Sequence, residues 1–216
     1  MPWVERASYL ERLRSVERTG DIKVITGARR SGKSELMKAF SAELKKRDPL
    51  LNSLYIDLLD LDNEELLEYH ALHDRIAKSH KDGVLNRLFI DEVQRCEGFE
   101  RAINSIHARG GWDIYLTGSN AFLLSSDLAT LFTGRHREIH VLPFSFSEFC
   151  AYFGEQGTID EELDRYIERG VSLDPMSIVT WQSHTATSGT STGPSLRETS
   201  FRSSVCPTRS CRSPST

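Results

Sequence analysis

The chain has 216 residues, 38% of them hydrophobic, with 27 Lys and Arg against 31 Asp and Glu. That is enough apolar material for one ordinary domain, and a net charge of −4 gives no general electrostatic case for binding nucleic acid. No apolar run is long enough to span a bilayer, residues 1–6 lack the basic-then-apolar pattern of a secretion signal, and the four cysteines (Cys96, Cys150, Cys206, Cys211) form no repeated framework, so a cytoplasmic setting is expected.

Ser8 to Glu17 reads as an amphipathic helix with Leu10, Leu13 and Val16 on one face. Asp21 to Thr26 reads as a short buried strand. It runs into Gly27-Ala28-Arg29-Arg30-Ser31-Gly32-Lys33-Ser34, which fits G-x-x-x-x-G-K-[ST], the phosphate-binding loop of nucleotide-binding proteins. Ser34 to Arg47 then reads as a helix with Leu36, Met37, Phe40 and Leu44 inward, ended by Asp48-Pro49. Strand, glycine loop and helix form the context the motif needs. Glycines let the backbone curl around an anion, and the helix start adds N–H groups and the positive end of its dipole. The whole stretch, Gly27, Ala28, Arg29, Arg30, Ser31, Gly32, Lys33 and Ser34, is a candidate ATP-binding site. Lys33 is placed to reach the β- and γ-phosphates and Ser34 to ligate Mg²⁺.

Leu54 to Leu58 is a second apolar run, and Asp62 to Ser79 reads as one exposed, charge-rich helix. His70 and His73 share a face of it, which reads as a solvated face rather than a ligand pair. Arg87 to Asp91 is a third strand ending in Asp91-Glu92. An apolar strand that ends in two carboxylates, placed after a phosphate loop, looks like a Walker B motif. Asp91 would hold Mg²⁺ opposite Ser34, and Glu92 would polarise the attacking water. Phe99 to Ala108 is a helix and Asp113 to Thr117 a fourth strand. That strand leads into Ser119-Asn120, which resembles the sensor 1 position of AAA-type ATPases and equally suits a helix N-cap. Arg135 and Arg137, ahead of a fifth strand at Glu138 to Leu142, are finger candidates, Arg135 the stronger, acting on a neighbouring subunit's nucleotide. Phe146 to Phe153 and Ile159 to Arg169 are the last helices.

Short continuous apolar strands separated by helices imply an α/β fold. The expected architecture is a P-loop NTPase-type three-layer sandwich with a mostly parallel five-stranded sheet. The expected division is an N-terminal helix at 1–20, an ATPase core at 21–145, a helical extension at 146–170 and a disordered tail at 171–216. In the tail, 20 of 46 residues are Ser or Thr and none is Lys, too little apolar surface to offset ordering. It reads as a disordered linker or as out-of-frame translation. Shifted by one base, the codons from Gly170 can spell an aromatic and aliphatic helical pattern. Cys206 and Cys211 have no second ligand pair nearby and are not read as a metal site.

Four ordered blocks carry a resemblance. They are Gly27 to Ser34, Leu88-Phe89-Ile90-Asp91-Glu92-Val93-Gln94, Leu116-Thr117-Gly118-Ser119-Asn120, and Gly134-Arg135 leading to residues 142–149. In these the chain resembles prokaryotic AAA-superfamily ATP-binding proteins with a Gly-x-Arg-Arg-x-Gly-Lys-Ser loop, in which a C-terminal domain of unknown function follows the core. By that resemblance the chain binds ATP with Mg²⁺, hydrolyses it slowly, and is truncated or frameshifted after about Gly170. A nucleotide-binding module without turnover is the alternative. The partner expected is an unknown protein or DNA, with homo-oligomers possible and no membrane. A small-molecule kinase fits less well, since Asp91-Glu92 favours water as the acceptor. The chain has no Asn-Lys-x-Asp segment for reading guanine, so ATP is expected over GTP.

Overall fold

The computed structural model describes residues 6–118, 132, 134–153 and 157–169. Ser119 and Asn120, the tail from 171 with its proposed frame change, and Cys206 and Cys211 lie outside the described residues.

The elements run α1 (Ala7–Ser15), β1 (Ile22–Gly27), α2 (Lys33–Arg47), β2 (Asn52–Asp57), a 3₁₀ helix (Leu61–Leu67), α3 (Tyr69–Lys78), β3 (Asn86–Asp91), a short 3₁₀ turn (Val93–Arg95), α4 (Phe99–Arg109), β4 (Trp112–Thr117), β5 (His136–Val141), α5 (Phe146–Phe153) and α6 (Ile159–Arg169). The five strands form one sheet in the order β2-β3-β4-β1-β5, and every neighbouring pair is parallel. The α/β fold class expected from the apolar strands is therefore the one observed.

Both faces of the sheet are covered. On one, Val24, Leu88, Ile90, Ile114 and Leu116 pack against α3 and α4. On the other, Ile25, Phe89, Tyr115 and Val141 meet Leu10 and Leu13 of α1 and Leu36, Met37, Phe40 and Leu44 of α2. All four predicted inward residues of α2 are buried. Each such side chain is worth about 1.5–3 kcal/mol of burial, which fixes α2 and hence the loop at its N-terminus.

The second face also carries a row of rings. Tyr55, Phe89 and Tyr115 are register partners on β2, β3 and β4, stacked at centroid distances of 6.2 and 5.0 Å. Lys23, the next partner on β1, has its ammonium 5.4 Å from the Tyr115 ring centre and paired with Asp113 Oδ1 at 2.5 Å. Asp113 also faces Arg87 across the register, and Arg87 in turn pairs with Glu17 from the loop after α1. A buried ionic row thus closes the bottom of this face, at the end of the sheet away from the glycine loop.

The single helix expected over Asp62 to Ser79 is two elements. Glu68 is extended (φ −104°, ψ 133°) and breaks it, and Glu68 Oε2 accepts from His70 N and Ala71 N to cap α3. Nor is α3 an exposed helix. Leu72 and Ile76, four residues apart, are fully buried, and His73 reaches Ser105 of α4 at 3.3 Å rather than pairing with His70. A charged sequence masked a two-residue apolar stripe, and Glu is not among the favoured N-cap residues.

Candidate functional site

The loop between β1 and α2 sits at the carboxyl end of the sheet, where ligands of parallel α/β sheets bind. Its path depends on unusual backbone. Gly27 has φ +148°, Arg30 φ +66° and Gly32 φ +87°. A Cβ at Gly27 would stand 2.2 Å from the Val141 carbonyl oxygen and 2.9 Å from Ser31 Oγ, whereas one at Gly32 would meet nothing nearer than Arg6 Nη1 at 3.9 Å. The two glycines are therefore needed for different reasons, close approach at 27 and left-handed backbone at 32. Gly27→Ala should unfold more easily by about 2–4 kcal/mol, because the clash is with backbone that cannot rotate away. Gly32→Ala should cost only about 1–2 kcal/mol. Thermal unfolding of the two variants side by side checks the difference.

Gly32 caps α2, so the first N–H groups of that helix point out of its end toward the loop's concave side. Lys33 is buried and its Nζ donates to the carbonyls of Gly27 at 3.1 Å and Ala28 at 3.0 Å. Burial pulls its pKa down, while the nearby Glu92 and Asp91 charges push the other way. Arg29 and Arg30 are exposed.

The predicted second half of the site lies against the first. Ser34 Oγ donates to Asp91 Oδ1 at 3.0 Å, across 57 residues of sequence. Asp91 is 2% exposed. Burial raises its pKa, hydrogen bonds from Thr117 and Ser34 oppose that, and the Asp57 and Glu92 charges add to the rise. A buried carboxylate joined to a serine hydroxyl offers the hard oxygen donors that a small divalent cation takes, so Ser34 and Asp91 fit Mg²⁺. Glu92 follows in left-handed backbone, φ 54° and ψ 48°. For a non-glycine residue that conformation is costly and tends to mark functional positions. Its N–H donates to Thr117 Oγ1 at 3.0 Å, and its carboxylate accepts from Gln94 Nε2.

Two participants were missed in the sequence. Thr117, at the tip of β4, donates to Asp91 and accepts from Glu92 N. Tyr55 OH stands 3.5 Å from Asp91 Oδ2. Thr117 could have been found as the polar end of an apolar strand, but attention falls on the more polar Ser119 and Asn120 just beyond. Nothing in the local sequence flags Tyr55, which reads as an apolar strand residue. Arg135 is not brought to this chain's own loop. It precedes β5, at the far end of the sheet, where its carbonyl accepts from Ile22 N. Arg137 pairs with Asp21 at 2.7 Å.

A family profile described as "AAA domain" matches residues 19–150, more than half of the chain. The chain belongs to this AAA family. An uncharacterized protein of Haemophilus influenzae is 36% identical to this AAA domain protein over 154 residues, covering 68% of the chain and 37% of the relative. The Methanocaldococcus jannaschii protein MJ1544, also uncharacterized, is 34% identical over 133 residues, covering 61% and 28%. The matched stretch thus spans about a third of the length of these relatives. Among solved structures, the Aeropyrum pernix ORC1 protein in complex with DNA superposes with a TM-score of 0.52 at 11% identity, over 78% of this chain and 50% of that one. That likeness shows the fold. As a member of the family the chain is a nucleotide-binding, ATPase-type module. Among the described residues no helix is long and apolar enough to cross a membrane.

Proposed function

We propose that this AAA domain binds MgATP at Gly27–Ser34 and hydrolyses it to ADP and phosphate, using the cycle to act on a partner protein or DNA. The observation that carries the reading is the Ser34–Asp91 hydrogen bond, which joins the loop to the acidic strand end at 3.0 Å. The loop's N–H groups and Lys33 hold the phosphates. Ser34 and Asp91 hold Mg²⁺, which when bound neutralises phosphate charge. Glu92 orients a water and takes its proton as the water oxygen bonds to the γ-phosphorus and the bond to the bridging oxygen of ADP breaks. Thr117 fixes the Asp91 carboxylate and the Glu92 backbone relative to each other. The division into an N-terminal helix, a core at 21–145 and a helical extension at 146–170 belongs to the same proposal.

Arg135 favours a second reading alongside it. At the far end of the sheet it can act as a finger only on another copy's nucleotide, so an isolated chain would hold nucleotide with little turnover. Thermal unfolding with MgATP tests the binding they share. Saturation at 100 times the Kd should add about 2.7 kcal/mol of stability, and Lys33→Ala should abolish the gain. An unchanged unfolding temperature at millimolar MgATP would defeat both.

A further inference from the structure

Arg6 lies just ahead of α1, and its side chain is buried although it is remote in sequence from the phosphate motif. Its nitrogens serve three different segments. Nη1 donates to the Ser31 carbonyl oxygen, in the phosphate loop, at 2.8 Å. Nη2 donates to the carbonyls of Leu142 at 2.8 Å and Pro143 at 3.4 Å, in the turn that leaves β5. Nε donates to Glu148 Oε1 at 2.8 Å, and Nη2 reaches Oε2 at 3.3 Å. The Tyr9 and Phe144 rings lie 4.5 and 5.4 Å from the guanidinium carbon. A planar cation with a fixed fork of donors, packed near two rings, sets the separation of the groups it joins.

Glu148 has a second role. Ser145-Phe146-Ser147-Glu148 forms a capping box at the start of α5. Ser145 N donates to Glu148 Oε2 at 2.7 Å, and Glu148 N donates to Ser145 Oγ at 3.3 Å. Burial pushes the Glu148 carboxyl up, but hydrogen bonds from Ser145 and Arg6 outweigh this and hold it below its ordinary value. The start of α5 therefore rests on Glu148, Glu148 on Arg6, and Arg6 on the Ser31 carbonyl. Ser31 lies between two left-handed residues, Arg30 and Gly32, so the loop needs outside contacts to keep its path.

We infer that Arg6 is a positioning residue that couples the phosphate loop to α5, so that order at either one favours order at the other. The ligand side of this coupling rests on the nucleotide reading above. Arg6 touches the loop backbone and takes no part in the chemistry.

Hydrogen exchange on the full chain, with and without saturating MgATP, tests it in the wild type, Arg6→Lys and Glu148→Gln. In the wild type, nucleotide should slow exchange of the amides of α5, with a coupling in the range of about 5- to 150-fold. Glu148→Gln keeps the Arg6–Ser31 contact, so it should still bind nucleotide but lose the response at α5. Arg6→Lys cannot make the fork and should lose both the response and at least about tenfold in affinity. Without nucleotide, Glu148→Gln should speed exchange at Ala28–Ser34. Wild-type nucleotide binding with no change at α5, or protection of α5 in both variants equal to the wild type's, overturns the inference. If the wild type binds no nucleotide, the nucleotide reading fails by itself, and unchanged loop exchange in Glu148→Gln then decides against the coupling. Should Arg6→Lys fail to fold, Glu148→Gln gives the answer alone.

Discussion

Glu92→Gln should lower phosphate release from ATP by about 10²- to 10⁴-fold while MgATP binding is kept. The amide has the size of the carboxylate and can still accept a hydrogen bond from Gln94, so the surroundings survive. What it cannot do is take a proton from water. The backbone supports this assignment. Residue 92 sits at φ 54°, with its N–H fixed by Thr117 Oγ1, so the side chain leaves the tip of β3 in a set direction beside Asp91. A steady-state phosphate assay paired with a binding titration measures both effects. Equal turnover in wild type and variant, above the buffer rate, would remove Glu92 from the mechanism. Tight binding with no phosphate release from the wild type would favour the module without turnover.

The largest stability effect is expected far from the site. Asp113→Asn should destabilise the fold by about 3–5 kcal/mol, or about 6–20 °C in Tm. Lys23 is 0% exposed and its ammonium is held by Asp113 Oδ1. The amide keeps the shape but removes the charge that compensates a buried cation. Asp113 also accepts from Tyr115 OH at 3.0 Å and from Arg18 N at 3.2 Å, so the loop after α1 loosens as well. Adding Lys23→Met to Asp113→Asn should recover part of the loss, because no buried cation is then left without its charge partner while the amide oxygen still accepts from Tyr115 and Arg18. Urea unfolding of the single and double variants gives the comparison. A single variant as stable as the wild type would show that Lys23 finds another partner or is neutral.

How far the sequence reveals the molecule varies by element. The helix after the loop is legible because its apolar residues recur at steps of three and four, and each predicted inward residue is buried. Strands β1, β3 and β4 are legible because burial on both faces leaves continuous apolar runs. The break at Glu68 is not legible, since a glutamate acting as N-cap competes with its ordinary preference for the helix interior. The ionic row of Lys23, Arg87, Asp113 and Glu17 is equally hidden. Each charged residue alone reads as a strand or helix end facing water, and only the pairing of strands makes them partners.

The sequence by itself determined the glycine loop, its lysine and serine, and the Asp91-Glu92 strand end, because that chemistry is written in consecutive residues. Strand order was decided by tertiary structure alone. β4 lies between β1 and β3, which puts Thr117 beside the junction of the loop and the Asp91 strand and sets its hydroxyl on both Asp91 and the Glu92 backbone. The same holds for Arg6, whose partners lie 25 and 142 residues away. A local pattern carries a loop's own chemistry, but which distant groups hold that loop in place depends on how the strands are ordered and where the chain returns.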